Sequence, residues 1–180
     1  QFTVVVRQNE RPDRTKVLTP TYIDENDKVI RFQNLGEENE FKGGNEFRHF
    51  DLSSVNFGGR NVANTRFINN KPVTQLRIDQ PARASYLINL DINGKFYVQD
   101  VEGRNSTITA EYVTVNFTLE SDKLSTPVYV IGAFNQWRKT PESQMQYNPQ
   151  RGAYESQQLI KQGWYDYTYQ TGDSEVNPLE

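Results

Sequence analysis

A single histidine, His49, sits in Phe47-Arg48-His49-Phe50-Asp51. As a general base it needs a nucleophile within hydrogen-bond reach, and Ser53 and Ser54 are near it only along the chain. Period-two alternation puts Phe47, His49 and Asp51 on one face of a strand and Arg48 and Phe50 on the other, which makes His49 a strand residue. Cysteine is absent, which removes thiol catalysis, Cys-ligated zinc and disulfides. Asp24, Asn26 and Asp27, and again Asp91 and Asn93, have the oxygen ligands of a calcium loop but lack the remaining EF-hand positions, so both read as turns. The 23 acidic residues could supply a glycosidase pair, yet nothing in their placement marks one. No phosphate-cradling glycine loop or nucleophile elbow occurs. The expected catalytic and metal sets are therefore empty, no cofactor is expected, and the chain reads as a non-enzyme.

Aromatic residues offer binding rather than bond-breaking chemistry. Val128–Trp137 reads as a strand that ends at Gly132, turns through Phe134 and Asn135 and presents Trp137 as it leaves the sheet. Trp137 is then either a flat platform for a sugar ring or a plug on the core, and the core reading is favoured. Trp164 begins a run in which Tyr165, Tyr167 and Tyr169 share one face while Trp164, Asp166, Thr168 and Gln170 share the other. Trp137, Trp164, Phe134 and Asn135 are thus the candidate partner- or ligand-binding residues, with exposed aromatics as natural interface anchors.

The elements that hold these residues are strands. The chain has 180 residues, a formal charge of −3 and a hydrophobic fraction of 35%; its mean hydropathy is −0.80. β-Branched and aromatic residues far outnumber Ala, Leu and Met, a balance that suits pleated sheets. The charge argues against a broad nucleic-acid surface. No apolar run approaches the roughly 20 residues of a membrane helix. Strand-like segments separated by turn residues run over Phe2–Arg7, Val17–Ile23 (bent at Pro20), Lys28–Phe32, Glu46–Leu52, Val62–Ile68, Val73–Ile78, Ala84–Leu90, Lys95–Val101, Glu111–Leu119, Pro127–Phe134, Ala153–Lys161 and Trp164–Gln170. Asn93-Gly94 is the signature of a tight hairpin turn. The small, polar stretch Gly103–Thr109 is the expected domain boundary. The expected fold is all-β, with two immunoglobulin-like sandwiches in tandem over residues 1–105 and 110–180.

Two resemblances extend this reading. Gly132-Ala-Phe-Asn-Gln-Trp137 with the later Tyr-rich strand is similar to early-set immunoglobulin-like modules, the glycogen-binding type among them, over residues 110–180. Thr168 stands where those modules carry a sugar-contacting lysine, and a second Trp has no counterpart near Thr171-Gly172-Asp173; the resemblance implies the fold and weakens sugar binding. The segment Gly43-Gly44-Asn45-Glu46-Phe47-Arg48-His49-Phe50-Asp51-Leu52 resembles the Gly-Asn-Glu-Phe-Arg-aromatic-Phe-Asp segment of the plug proteins of the type IX secretion system, and Asp91-Ile-Asn-Gly-Lys-Phe96, Ala110–Leu119, Val128–Trp137, Met145–Asn148 and Lys161–Tyr167 follow in that family's order. Gly44, Asn45, Glu46, Phe47, Arg48, Phe50 and Asp51 carry the motif. The resemblance implies a periplasmic protein, peripheral to the outer membrane, that seals a large translocon barrel from below. It also implies that this chain is a central-to-C-terminal fragment with its last strands trimmed. The opening Gln1, with no Met, suits a mature or cut piece. The rival expectation is a glycan-binding module that stacks a sugar on Trp137.

Overall fold

The computed structural model describes residues 3–32, 40, 41, 43, 44, 46–82, 91–172 and 179. The chain is all-β and divides into two compact units, 1–44 and 45–180. The first unit holds two antiparallel ribbons, β1 (Val4–Arg7) with β2 (Thr15–Leu18) and β3 (Tyr22–Asp24) with β4 (Val29–Arg31). Pro20 breaks the stretch expected to run from Val17 to Ile23, because it cannot donate to a ladder. The Asp24 carboxylate accepts hydrogen bonds from the Asn26 and Asp27 amides (3.0 and 3.1 Å), which closes a turn and sets this candidate calcium oxygen to serving the backbone.

The second unit is a sandwich of two sheets. One sheet runs in the order β11 (Gln146–Asn148), β12 (Ala153–Lys161), β9 (Tyr112–Glu120), β7 (Lys71–Leu76), β6 (Val62–Ile68). In the other, β13 (Gly163–Thr171) lies between β10 (Val128–Gly132) and β5 (Arg48–Asp51), and β8 (Phe96–Val98) also pairs with it. Asn69 and Asn70 both take left-handed φ (51° and 60°), so they alone form the β6–β7 turn, and Pro72 falls inside β7 instead of in the loop expected there. Clean alternation along β9 buries Val113, Val115, Phe117 and Leu119, as its period-two pattern requires. These meet Phe50, Tyr165 and Tyr167 from the opposite sheet. The Phe117 ring lies 5.7 Å from Phe50 and 5.2 Å from Tyr167 in edge-on geometry, the favoured arrangement for aromatic pairs.

The expected boundary at 103–109 is not a boundary. Residues 103–109 form a loop and a single helical turn, α1 (Ser106–Thr109), that starts at Asn105, whose side chain accepts from the Thr107 amide. Strands from either side of this loop pair directly: β5 and β8 with β13, and β7 with β9 in parallel. One core joins Phe50 and Leu76 to Phe117 and Tyr169. The expectation of tandem sandwiches over 1–105 and 110–180 is therefore corrected to one sandwich over 45–180 and a separate ribbon unit. The strand expected at Ala84–Leu90 lies outside the described residues, and Lys95–Val101 supplies only β8, paired with β13.

A fragment of residues 110–180 should fail to unfold cooperatively, because it loses β5 and β8 from β13, β7 from β9, and the Phe50 ring that meets Phe117. Far-ultraviolet circular dichroism with a urea titration tests this; a sigmoidal transition from the fragment alone contradicts the single-core architecture. Phe50→Ala in the full chain should cost about 3–5 kcal/mol.

Candidate functional site

The outward face of the four-stranded sheet carries the residues the sequence singled out. On β13, Tyr165, Tyr167 and Tyr169 turn inward, so Trp164, Asp166 and Thr168 face out. The register sets Asp166 opposite His49 and Trp164 opposite Asp51. On β8, Tyr97 is opposite Trp164. The His49 imidazole stacks on the Trp164 indole at 5.1 Å and 10°, and Tyr97 lies parallel to the same indole at 6.5 Å. The Arg60 guanidinium lies 6.0 Å from the indole centre.

The turn at 91–95 lies over this face. Asn93 and Gly94 take left-handed φ (57° and 77°), the geometry that the Asn-Gly pair favours. Asp166 Oδ2 accepts hydrogen bonds from the amides of Ile92 (2.7 Å) and Gly94 (3.0 Å). Asp91 accepts from the Asn93 amide (3.0 Å) and, with its other oxygen, from the Phe47 amide (2.7 Å). This second pair of candidate calcium oxygens thus ties the turn to the segment leading into β5. Trp137 reaches the turn from the other side. Asn135 pins its approach by accepting from the Gly132 amide and donating to the Val130 carbonyl, both at 3.0 Å. Gln136 and Trp137 are both left-handed. The Trp137 ring is 5% exposed and meets Phe47 at 5.2 Å. A Cβ on Gly94 would lie 2.9 Å from Trp137 and 3.0 Å from Phe47, so the turn and both rings are in close contact.

Charge is poorly housed here. Asp166 is fully buried. Burial, helped by the Asp91 charge, pushes its carboxyl up to about 6, against the pull of the Ile92 and Gly94 amides and the nearby Trp164 indole. Neither Asp166 Oδ1 nor Trp164 Nε1 has a hydrogen bond of good alignment. Both His49 nitrogens are also buried without a partner among the described residues. Burial and then Arg60 pull the His49 pKa down, while Asp91 opposes them. Four unsatisfied polar atoms in one cluster are uncommon in a folded interior.

Arg48 serves the other side of β5. Its Nη1 contacts Asp79 Oδ1 at 3.2 Å and its Nη2 donates to the Gln80 carbonyl at 2.8 Å. The hydroxyls of Tyr167 and Tyr169 both donate to Asp79 Oδ2, at 2.6 and 2.7 Å. The guanidinium lies 5.3 Å from the Tyr169 ring centre. Burial, then the Asp79 charge, raises the Tyr169 pKa well above that of free tyrosine. Two rungs of the tyrosine ladder are thereby tied to one carboxylate.

The candidate residues separate into distinct places. Trp137, Trp164 and Phe47 share the outward cluster, whereas Phe134 packs against Phe117 and Tyr165 at 6.3 and 6.1 Å. Phe50 is wholly buried and stacks on Tyr165 at 5.3 Å. Asp51 accepts from the Ser53 amide at 2.9 Å, Glu46 is half-buried, Gly44 is exposed, and Asn45 lies outside the described residues. The Ser53 hydroxyl donates to Gln99 and the Ser54 hydroxyl to Glu102. Among the described residues no three His, Asp or Glu side chains group closely enough to hold a metal ion. Sequence reasoning missed Asp79, Asp91 and Asp166 as anchors. A carboxylate in the middle of the Trp164–Tyr169 aromatic run was the available signal for Asp166. A shallow trough of about 650 Å³ lies elsewhere, lined by Gln75, Asn116, Gln144, Gln146, Glu155 and Gln157.

No protein-family profile matches the chain, and no curated protein matches it significantly. Among solved structures, a hypothetical protein from Parabacteroides merdae is similar across 99% of this chain, with a TM-score of 0.82 and 29% sequence identity. This chain spans 46% of that protein's length.

Two mutational results are expected from these contacts. Asp79→Ala, which strips the acceptor from two tyrosines and the partner from Arg48, should lower stability by about 2–4 kcal/mol, and Asp79→Asn by less. Chemical denaturation measures both. The raised Asp166 pKa means that the folded state holds a proton more tightly than the unfolded chain, so this group's contribution falls as pH rises from about 4 to 6 and is constant above. His49, with its lowered pKa, has the opposite slope: its contribution rises with pH up to the ordinary histidine value. In a His49→Phe background, Asp166→Asn should remove the decline between pH 4 and 6; an unchanged stability–pH curve contradicts the assignment.

Proposed function

We propose that this chain is a non-enzymatic interaction module of a periplasmic plug that docks on, and seals, the outer-membrane translocon barrel of type IX secretion. The observation that carries this reading is what the motif residues do. Phe47 clasps Trp137, Arg48 ties down the tyrosine ladder through Asp79, and Phe50 fills the core. Residues that resemble the plug family's most specific segment are therefore spent on holding sheets and turns together, which suits a rigid body that acts through its surface. The standard interface buries about 1,200–2,000 Å² in total, within reach of one sheet face. The similar Parabacteroides merdae protein is about twice as long, so the barrel, the seal and the periplasmic location are proposed for the whole protein of which such a module is a part.

The rival reading, a glycan module built on Trp137, is disfavoured because that ring is covered by Phe47 and the 91–95 turn. A single stacked ring offers too little to offset the cost of binding even when it is open.

Co-purification tests the proposal: the tagged protein, expressed in a bacterium with type IX secretion, should bring down the translocon barrel from detergent-solubilised outer membranes, identified by mass spectrometry. Its absence from the eluate counts against the plug reading. Isothermal calorimetry against α-glucans and common polysaccharides should give no saturable heat at millimolar glycan, and Trp137→Ala should lower stability by about 3–5 kcal/mol. Saturable heat that vanishes in Trp137→Ala at unchanged melting temperature favours the glycan module instead.

A further inference from the structure

The outward face of the five-stranded sheet changes character along its strands. One transverse row reads Leu159, Thr114, Val73, Arg66 across β12, β9, β7 and β6. In the next row Lys161 pairs with Tyr112, and Lys71 with Ile68. Successive same-face residues stand two apart, so these eight side chains share one surface. Leu159, Tyr112 and Ile68 are 69%, 61% and 55% exposed. Lys161 Nζ donates to the Thr107 carbonyl, which holds α1 beside this row, and the neighbouring Ile108 is 79% exposed. The rows therefore present large apolar side chains together with Arg66, Lys71 and Lys161. Neither Arg66 nor Lys71 has an ion-pair partner among the described residues. No acid lies in the two rows, although the chain carries a net −3; on β12 the first acid on this face is Glu155, beyond Gln157, in the amide-lined trough.

We propose that this apolar, basic half-face docks flat on an anionic phospholipid surface. Charge complementarity selects the occupant: three cations and no acid, on a chain whose net charge is −3, suit this face to a negative plane. The side chains stand perpendicular to the sheet, so Leu159, Ile68 and Tyr112 project together into the headgroup region, where tyrosine is favoured. The lysine and arginine stems lie along the apolar surface while their heads reach phosphate. Apolar contact and cationic attraction act together, the combination that gives stable peripheral binding. This inference does not depend on the plug reading, since a bilayer replaces the protein partner in its test.

Sedimentation of the full chain with vesicles tests it. Vesicles of equimolar phosphatidylglycerol and phosphatidylethanolamine should bind the protein saturably, and phosphatidylcholine vesicles should not. Raising salt to roughly 0.5 M should release it. Arg66→Glu with Lys71→Glu should weaken binding by at least about tenfold, since each cation near such a surface is worth about fivefold in affinity. Tyr112→Ser with Leu159→Ser should also weaken it, and Lys123→Glu, outside this face, should leave it unchanged. Thermal melts confirm that each variant is folded. Absence of binding to the anionic vesicles, or binding that the double charge reversal leaves intact, overturns the proposal. Retention on polyglutamate without vesicle binding also overturns it and assigns the face to an acidic protein.

Discussion

The sandwich depends on β13 having a different neighbour along each stretch of its two edges. β5 runs beside residues 164–167, β10 beside 167–171, and β8 beside 163–165. A strand bonded on both edges has no freedom to slip, because a one-residue shift would exchange its two faces. Here the exchange would bring Asp166 into the hydrocarbon of the core and put three tyrosines outside. Gly163 shows how close the approach is: a Cβ there would lie 2.1 Å from the Tyr97 carbonyl oxygen. Register, side-chain alternation and the lack of a Cβ all enforce the same arrangement.

The two faces of that strand divide the labour. Inward, tyrosines bring large apolar area to the core while their hydroxyls reach polar partners at its margin, Tyr165 on the Lys161 carbonyl and the other two on Asp79. Outward, one carboxylate holds a turn and two stacked rings keep company with an imidazole. The outward cluster resembles the interior of an active site in its buried charge and unsatisfied atoms, but its hydrogen bonds go to backbone amides of a turn. That contrast sets the lone histidine, stacked on Trp164 and opposite Asp166, among the groups that hold the 91–95 turn to the sheet.

Much of this was legible locally. Period-two patterns located β9, β12 and β13, and the Asn-Gly pair announced the left-handed turn at 93 and 94. The tyrosine ladder put Tyr165, Tyr167 and Tyr169 on one face but left open whether that face was an aromatic interior or a recognition strip, and the structure turns it inward. What could not be read was which strands meet. Gly103–Thr109 has the composition of a linker, yet the same small, polar residues cap a helical turn, and nothing in the segment records that Asp51 lies beside Trp164. Trp137 shows a related limit. Its place at the end of a strand favoured a plug but left a platform open, and the ring is covered by Phe47 and Gly94, both distant in sequence. The carboxylate anchors were hidden for the same reason: Asp79 and Asp91 look like ordinary turn acids until their partners, Tyr167, Tyr169 and Phe47, arrive from other parts of the chain.

The pairing of β5 with β13 also governs the order of assembly during synthesis. Asp51 leaves the ribosome long before Trp164 is made, and until then β5 and β8 lack the strand that finally pairs with them. Until β13 emerges, β5 and β8 present open strand edges and Phe50 an uncovered ring, while β6, β7 and β9 can pair among themselves. Over that interval the burden of keeping these edges from clumping falls on whatever shields an unfinished polypeptide.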